Sequence, residues 1–261
     1  MMLYVTSANV EWTTSMSGGT WEDEQDYRGF VGPSEKYDLI SASQFNLLTF
    51  LDLREVHYIL DVGCGSLRAG KLFIPFLLPG RYHGIEPEHW LIDEGIKNEL
   101  GEDILGVKKP VFSSDNNFTL SIFDRKFDYI LAHSIFSHAA ERQISRCLSE
   151  ARKVMKPTSL FIATFAKGDA DYSGDEWVYP GFVMYTEDRM RALFEEQGLA
   201  SSIVNWPHPE FQLWIVGALS DPIDGTESEG PHRVNIIESE VKEYQKRALR
   251  DREALFDLYF Q

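Results

Sequence analysis

Two apolar runs, roughly 20 residues apart, constrain this chain more than anything else in it. Tyr58-Ile-Leu-Asp-Val-Gly-Cys-Gly65 reads as a buried strand opening onto two glycines, and Tyr82-His-Gly-Ile-Glu86 as a second strand delivering a carboxylate. In an open parallel sheet, glycines after the first strand let the backbone approach a ligand, and an acid at the end of the next strand grips a ribose. The pair predicts a nucleoside cofactor. A dinucleotide fingerprint needs a third glycine where this chain has Arg68, so NAD and FAD are disfavoured.

What the loop contains instead is Asp61-x-Gly63-x-Gly65, followed by Glu86. This resembles the first motif of the class I S-adenosylmethionine-dependent methyltransferases of the small-molecule type. The resemblance implies S-adenosylmethionine as cofactor and S-adenosylhomocysteine as product. It places Asp61, Gly63, Gly65 and Ser66 at the amino-acid end of the cofactor and Glu86 on the ribose hydroxyls. Pro87, Asp115 and Asn116 then belong with the adenine. Arg68 is suited to pair with the methionyl carboxylate bidentately, and His133 is expected on the cofactor side. The fullest form of the motif has a further glycine where this chain has Leu67, which is expected to be tolerated with a negative φ.

The chain has 261 residues, 43% of them hydrophobic, enough for one large α/β domain with additions. A helix is predicted over 34–52, with Ser34 as its cap and Tyr37, Ile40, Gln44, Leu47, Leu48 and Leu51 on one face. Strands follow at Tyr58–Val62, Tyr82–Ile85, Val111–Ser113, Phe127–Ala132 and Ser159–Phe165, separated by helices over 66–76, 88–100 and 140–155. After a helix over 186–197, two more strands, Ala200–Trp206 and Phe211–Ala218, flank Pro207-His-Pro209 as a hairpin. The expected fold is a Rossmann-like, seven-stranded, mostly parallel sheet with helices on both faces, the last strand antiparallel, and extra N- and C-terminal helices. Residues 1–55 read as a helical lid, 56–219 as the methyltransferase domain, and 220–261 as a linker and a charged helix. The apolar positions of that helix suit docking on its own domain or a homo-oligomer contact.

Candidates for chemistry stand just past the strand ends. His138 is a candidate general base for a hydroxyl or ammonium acceptor, with a capping or packing role as its alternative. Trp177 and Tyr179, in an aromatic and acidic segment, are expected to touch the acceptor, and Tyr27, Phe30 and Tyr37 to cover the opposite side. The positions after strands four and five lack a cluster of hard oxygen ligands, so no metal is expected. The same region lacks a Pro-Pro-aromatic motif, which disfavours methylation of DNA adenine or glutamine.

Charged groups sum to −16, and no block of Lys and Arg is large enough to track a phosphate backbone, so nucleic acid is not the expected substrate. Cys64 and Cys147 make neither a disulfide framework nor a metal set. Without a recognisable signal peptide or an apolar span, a soluble, cytoplasmic protein is expected. The resulting expectation is methyl transfer to O or N of a small metabolite by in-line displacement. The alternatives are a cofactor-binding regulatory protein without turnover and an aminopropyltransferase.

Overall fold

The structure is a computed structural model that describes residues 26–220 and 230–260. The linker expected over 221–231 lies outside the described residues up to 229, its last two positions belonging to the C-terminal helix, and the extension before residue 26 lies outside them as well. Eight strands form the sheet: β1 (Ile59–Val62), β2 (Tyr82–Ile85), β3 (Val111–Ser113), β4 (Phe127–Ala132), β5 (Met155–Lys167), β6 (Met184–Tyr185), β7 (Leu199–Val204) and β8 (Leu213–Leu219). Their order is β3-β2-β1-β4-β5-β8-β7, with β6 pairing along the end of β5. Only β8 runs against its neighbours β5 and β7. The expected seven strands with the last reversed are all present, and the two-residue β6 is an addition.

The central strands are buried on both faces, which is why they read as continuous apolar runs. Ile59 of β1, Tyr129 and Leu131 of β4, Leu160 and Ile162 of β5, and Trp214 and Val216 of β8 join one core. The intervening residues Leu60, Ile130, Phe161, Ala163 and Ile215 join the other. The first core is closed by α2 (Tyr37–Phe50), α3 (Gly70–Phe76) and α4 (His89–Gly95), the second by α6 (Glu141–Val154) and α7 (Glu187–Glu196). A four-residue helix, α1 (Tyr27–Phe30), precedes them, capped by the Asp26 carboxylate on the Arg28 and Gly29 amides.

Several boundaries moved. Ser34–Lys36 form a 3-10 turn before α2, and Ser34 turns its hydroxyl to Asp26 instead of capping the helix. The helix expected from Ser66 begins at Gly70, because 66–69 are used in the turns of the glycine loop. The short α5 (Asp103–Lys108) was not anticipated. β5 starts at Met155, with Pro157 in a stretch of shifted register where a ladder N–H is dispensable.

The C-terminal α8 (Gly230–Phe260) docks along its first half. Val234, Ile237 and Val241 are buried in the first core, the Ser202 hydroxyl donates to Glu238 at 2.6 Å, and Trp206 stacks on Tyr244 at 5.6 Å. Ile237→Ala is expected to cost about 2–5 kcal/mol in urea denaturation, the range for emptying a buried aliphatic site. A loss below 0.5 kcal/mol would show that this docking contributes nothing.

Candidate functional site

The carboxyl ends of β1 to β5 open into one cleft of about 730 Å³. Its remaining walls come from a strap over residues 29–33, the 177–182 segment beyond β5, and the loop between β7 and β8. Of the sequence candidates, Gly63, Gly65, Arg68, Glu86, Pro87, Asp115, Asn116, His133, His138, Trp177 and Tyr179 line it. Asp61, Ser66, Tyr27 and Tyr37 do not.

Those four support the site from beneath. Asp61 alternates away from the cleft on β1 and accepts from the Tyr82 hydroxyl at 2.7 Å; burial pushes its carboxyl up to about 6. Tyr37, expected as an acceptor contact, is fully buried and donates its hydroxyl to the Ser66 carbonyl at 2.8 Å, propping the glycine loop. Tyr27 packs edge-on to Tyr37 and donates to Glu99 at 3.0 Å. Tyr37 is held by Ser66 and Tyr27 by Glu99. The buried Glu99 carboxylate also holds Arg28 and Lys71, and it draws this side of the strap inward. Phe30 and Val31 are left over the cleft.

The glycine loop is a run of left-handed residues. Gly63 has φ 69°, and a Cβ there would fall 2.2 Å from Ile135 Cδ1. Gly65 has φ 52°. Leu67 has φ 61°, contrary to the negative value expected of it. Its N–H donates to the Cys64 carbonyl and its carbonyl accepts from Lys71, so the turn dictates the conformation. A left-handed leucine costs about 1–2 kcal/mol, and complete burial of its side chain, worth about 1.5–3 kcal/mol, offsets that.

Glu86 leaves β2 with one oxygen accepting from Gly65 N at 2.9 Å and the other from Glu88 N at 3.0 Å. Each keeps a lone pair for a ligand hydroxyl. Burial pushes its carboxyl up to about 7. Asp115 forms an Asx turn, one oxygen accepting from Asn117 N at 3.0 Å and Thr119 N at 2.7 Å.

Arg68 is the unusual group. Only 8% exposed, it donates from Nη1 to the Val31 carbonyl at 2.5 Å, while its Nε is buried without a partner. Nη2 lies 3.1 Å from Nδ1 of His133. Counting hydrogens shows that this nitrogen is no acceptor. His208 Nδ1 accepts from the amides of Glu210 and Gln212, so its hydrogen sits on Nε2 and points at His133 Nε2, 2.9 Å away. His133 therefore carries its own hydrogen on Nδ1, directed at Ser134 Oγ at 3.1 Å. Burial pulls the Arg68 guanidinium down to about 10 and keeps both histidines neutral. Among the described residues no carboxylate forms an ion pair with Arg68. Gln212 and Thr164 complete the network: Thr164 Oγ1 accepts from Ser134 N and donates to Gln212 Oε1, both at 2.7 Å, and holds Ser134 at φ 58°.

His138 has the opposite inventory. Nδ1 lies 3.0 Å from the Val178 carbonyl and 2.7 Å from that of Gly181, so it must carry the hydrogen. Nε2 is left as a bare lone pair in a residue that lines the cleft. Burial lowers the His138 pKa, which keeps the ring neutral. Trp177 and Tyr179 flank it at 5.6 and 5.2 Å, and the Tyr179 hydroxyl donates to the Phe30 carbonyl. Ser134, Glu210 and Gln212 were not singled out from the sequence, and His208 entered only as part of the hairpin turn. The Pro207-His-Pro209 turn was their one signal.

Residues 60–161 match the family model described as a methyltransferase domain. That match spans less than half of the chain, and the fold of the chain is the Rossmann-like one of the class I methyltransferases. A SAM-dependent methyltransferase from Leishmania major aligns with TM-score 0.56 at 15% identity, over 72% of this chain and 74% of that one. Magnesium protoporphyrin IX methyltransferase from Synechocystis PCC 6803, crystallised with SAM, aligns at 0.54 and 12%, over 78% and 87%. A glycopeptide N-methyltransferase complexed with S-adenosylhomocysteine aligns at 0.53 and 10%, over 70% and 90%. No curated protein matches the chain in sequence. Among the described residues no helix is long and apolar enough to cross a membrane.

The strained loop of the domain makes a direct prediction. Leu67→Ala loses the buried side chain and keeps the strain, whereas Leu67→Gly loses the side chain and relieves it. The glycine variant should be the more stable of the two by about 1 kcal/mol in urea denaturation. The opposite order would mean that the turn is not left-handed.

Proposed function

We propose that the protein transfers a methyl group from S-adenosylmethionine to a hydroxyl or amino group of a small metabolite, with His138 as general base. The observation that carries this reading is the buried Arg68 guanidinium beside the glycine loop, which has a single carbonyl acceptor and no carboxylate. The methionyl carboxylate is the ligand group such a cation lacks. A decarboxylated cofactor would leave it unpaired, which counts against an aminopropyltransferase. The cleft volume suits a cofactor and a small acceptor together.

When bound, the cofactor supplies a methyl group on a cationic sulfur that leaves as a neutral thioether. The rest falls to the chain. Arg68 holds the carboxylate, and Glu86 accepts from the ribose hydroxyls. Pro87, Asp115 and Asn116 flank the base, and His133, locked by His208, fills the wall beneath the methionyl end. His138 Nε2 takes the acceptor proton as the nucleophile attacks. The strap carbonyls of Phe30 and Val31, tied to Tyr179 and Arg68, keep water out, so placement supplies most of the rate.

Titration calorimetry with S-adenosylhomocysteine should give micromolar binding, weakened about 10–100-fold in Arg68→Met, the worth of a charge-assisted pair. The decarboxylated analogue should bind wild type and Arg68→Met alike; equal losses for both ligands would remove Arg68 from the carboxylate. Since Glu86 ionises near pH 7 in the free protein and the ionised form is the better hydroxyl acceptor, affinity should rise from pH 6 to 8. Glu86→Gln should flatten that rise. Once an acceptor is known, His138→Gln should lower turnover about 10²–10⁴-fold and leave cofactor affinity unchanged. Unchanged turnover would exclude it as the base.

A further inference from the structure

The end of the cleft around His138 differs in chemistry from the end around Arg68. Its rings form one continuous wall. Phe30 meets Tyr179 at 5.4 Å, Tyr179 meets His138 at 5.2 Å, and His138 meets Trp177 at 5.6 Å, with Trp90 against Phe30 at 5.3 Å outside the lining. Tyr179 has committed its hydroxyl hydrogen to the Phe30 carbonyl, so it has no donor left for a ligand. Trp177 and Tyr179 remain 40% and 37% exposed, large apolar areas left for something to cover.

No charged side chain belongs to this wall; Glu86 and Arg68 act on Tyr179 from the end of the cleft assigned to the donor. The charged residues lining the cleft are Arg68 in the glycine loop, Glu86 and Glu88 after β2, Asp115 after β3, and Glu210, which pairs with Lys36. The segments 133–143 and 177–182 bring none to the cleft. No charged side chain shifts the titration of His138 either; burial and the two carbonyls account for it. The ring wall presents one bare acceptor, His138 Nε2, beside two neutral donors, the Trp177 indole N–H and the Ser137 hydroxyl, which has no partner among the described residues.

The geometry points to a neutral planar aromatic hydroxyl as the methyl acceptor, lying against Tyr179 and Trp177 with its O–H on His138 Nε2. This rests on the donor assignment above and narrows the acceptor. A carboxylate or phosphate brings no proton for an atom that only accepts, and it finds no cation on this wall. An ammonium brings protons and is drawn to ring faces, but it must lose its water with no carboxylate there to replace it. A phenol satisfies both conditions. Its oxygen forms the new C–O bond as the donor C–S bond breaks, the electron pair stays on sulfur, and the proton passes to His138 Nε2. The products are a neutral ether, a neutral thioether and an imidazolium that returns its proton to solvent.

Three ligands on one frame test this: 2-naphthol, 2-naphthylmethylamine and 2-naphthoate, titrated by calorimetry at pH 7.5 into the full chain saturated with S-adenosylhomocysteine. The naphthol should bind at least about tenfold tighter than the other two, the value of one hydrogen bond to an otherwise unmet acceptor. It should also quench a tryptophan signal that Trp177→Phe lacks. His138→Phe, which keeps a ring and removes the acceptor, should abolish the naphthol preference. Equal or tighter binding of the amine or the acid overturns the inference, as does failure of all three to bind a protein that takes up S-adenosylhomocysteine. Failure to take up S-adenosylhomocysteine sinks the donor assignment and this inference with it.

Discussion

Withdrawing a guanidinium from water costs several kcal/mol unless its hydrogens find acceptors, and around Arg68 the chain supplies one carbonyl. Neighbouring groups that would relieve the charge are arranged not to. His133 turns an N–H toward it because His208 turns an N–H toward His133, and His208 does so because the backbone of the 208–212 loop occupies its other nitrogen. Ser134 stays left-handed under Thr164, which Gln212 orients in turn. A chain of neutral donors thus keeps one positive group hungry for an anion. Such preorganisation places the ordering cost in folding and leaves more of the contact energy for binding.

The strap links the two ends of the cleft. Val31 gives its carbonyl to Arg68 at the glycine loop, and the adjacent Phe30 gives its own to Tyr179 on the aromatic wall. Behind them, Arg28 and Lys71 converge on Glu99, whose side chain is only 6% exposed. A partly buried pair of this kind resists screening far better than a surface bridge. The four consecutive residues 28–31 therefore couple the buried guanidinium to the rings at the other end of the cleft.

Much of this was legible in the residues. β1, β2, β4 and the middle of β5 are buried on both faces, so each appears as a mostly apolar run, and the positions of Gly63, Gly65, Arg68 and Glu86 follow from where those runs stop. The reversed β8 followed from the turn residues before it. β6 and α5 did not, because two paired residues and a six-residue helix carry no periodicity to read. Tyr27 and Tyr37 illustrate a different limit. Helical spacing says which face is covered, not whether a ligand or the chain itself covers it, and only tertiary contact with Glu99 and Ser66 decides. Leu67 was misjudged because propensity forbids what burial then compensated.

His133 and His138 differ in where their hydrogens sit, not in where the sequence places them. They sit five positions apart at the end of one strand, both line the cleft, and both are kept neutral by burial. Their surroundings give them opposite capacities. At His133 both nitrogens are occupied, one accepting from His208 and one donating to Ser134, so the ring is a fixed part of the wall. At His138 two carbonyls hold the hydrogen on Nδ1 and leave a lone pair on Nε2. A base needs an open acceptor before it needs a suitable pKa. Of the two rings only His138 has one, and the carbonyls that provide it belong to the same 177–182 segment that carries Trp177 and Tyr179, so folding that segment frees the lone pair and builds the ring wall in one step.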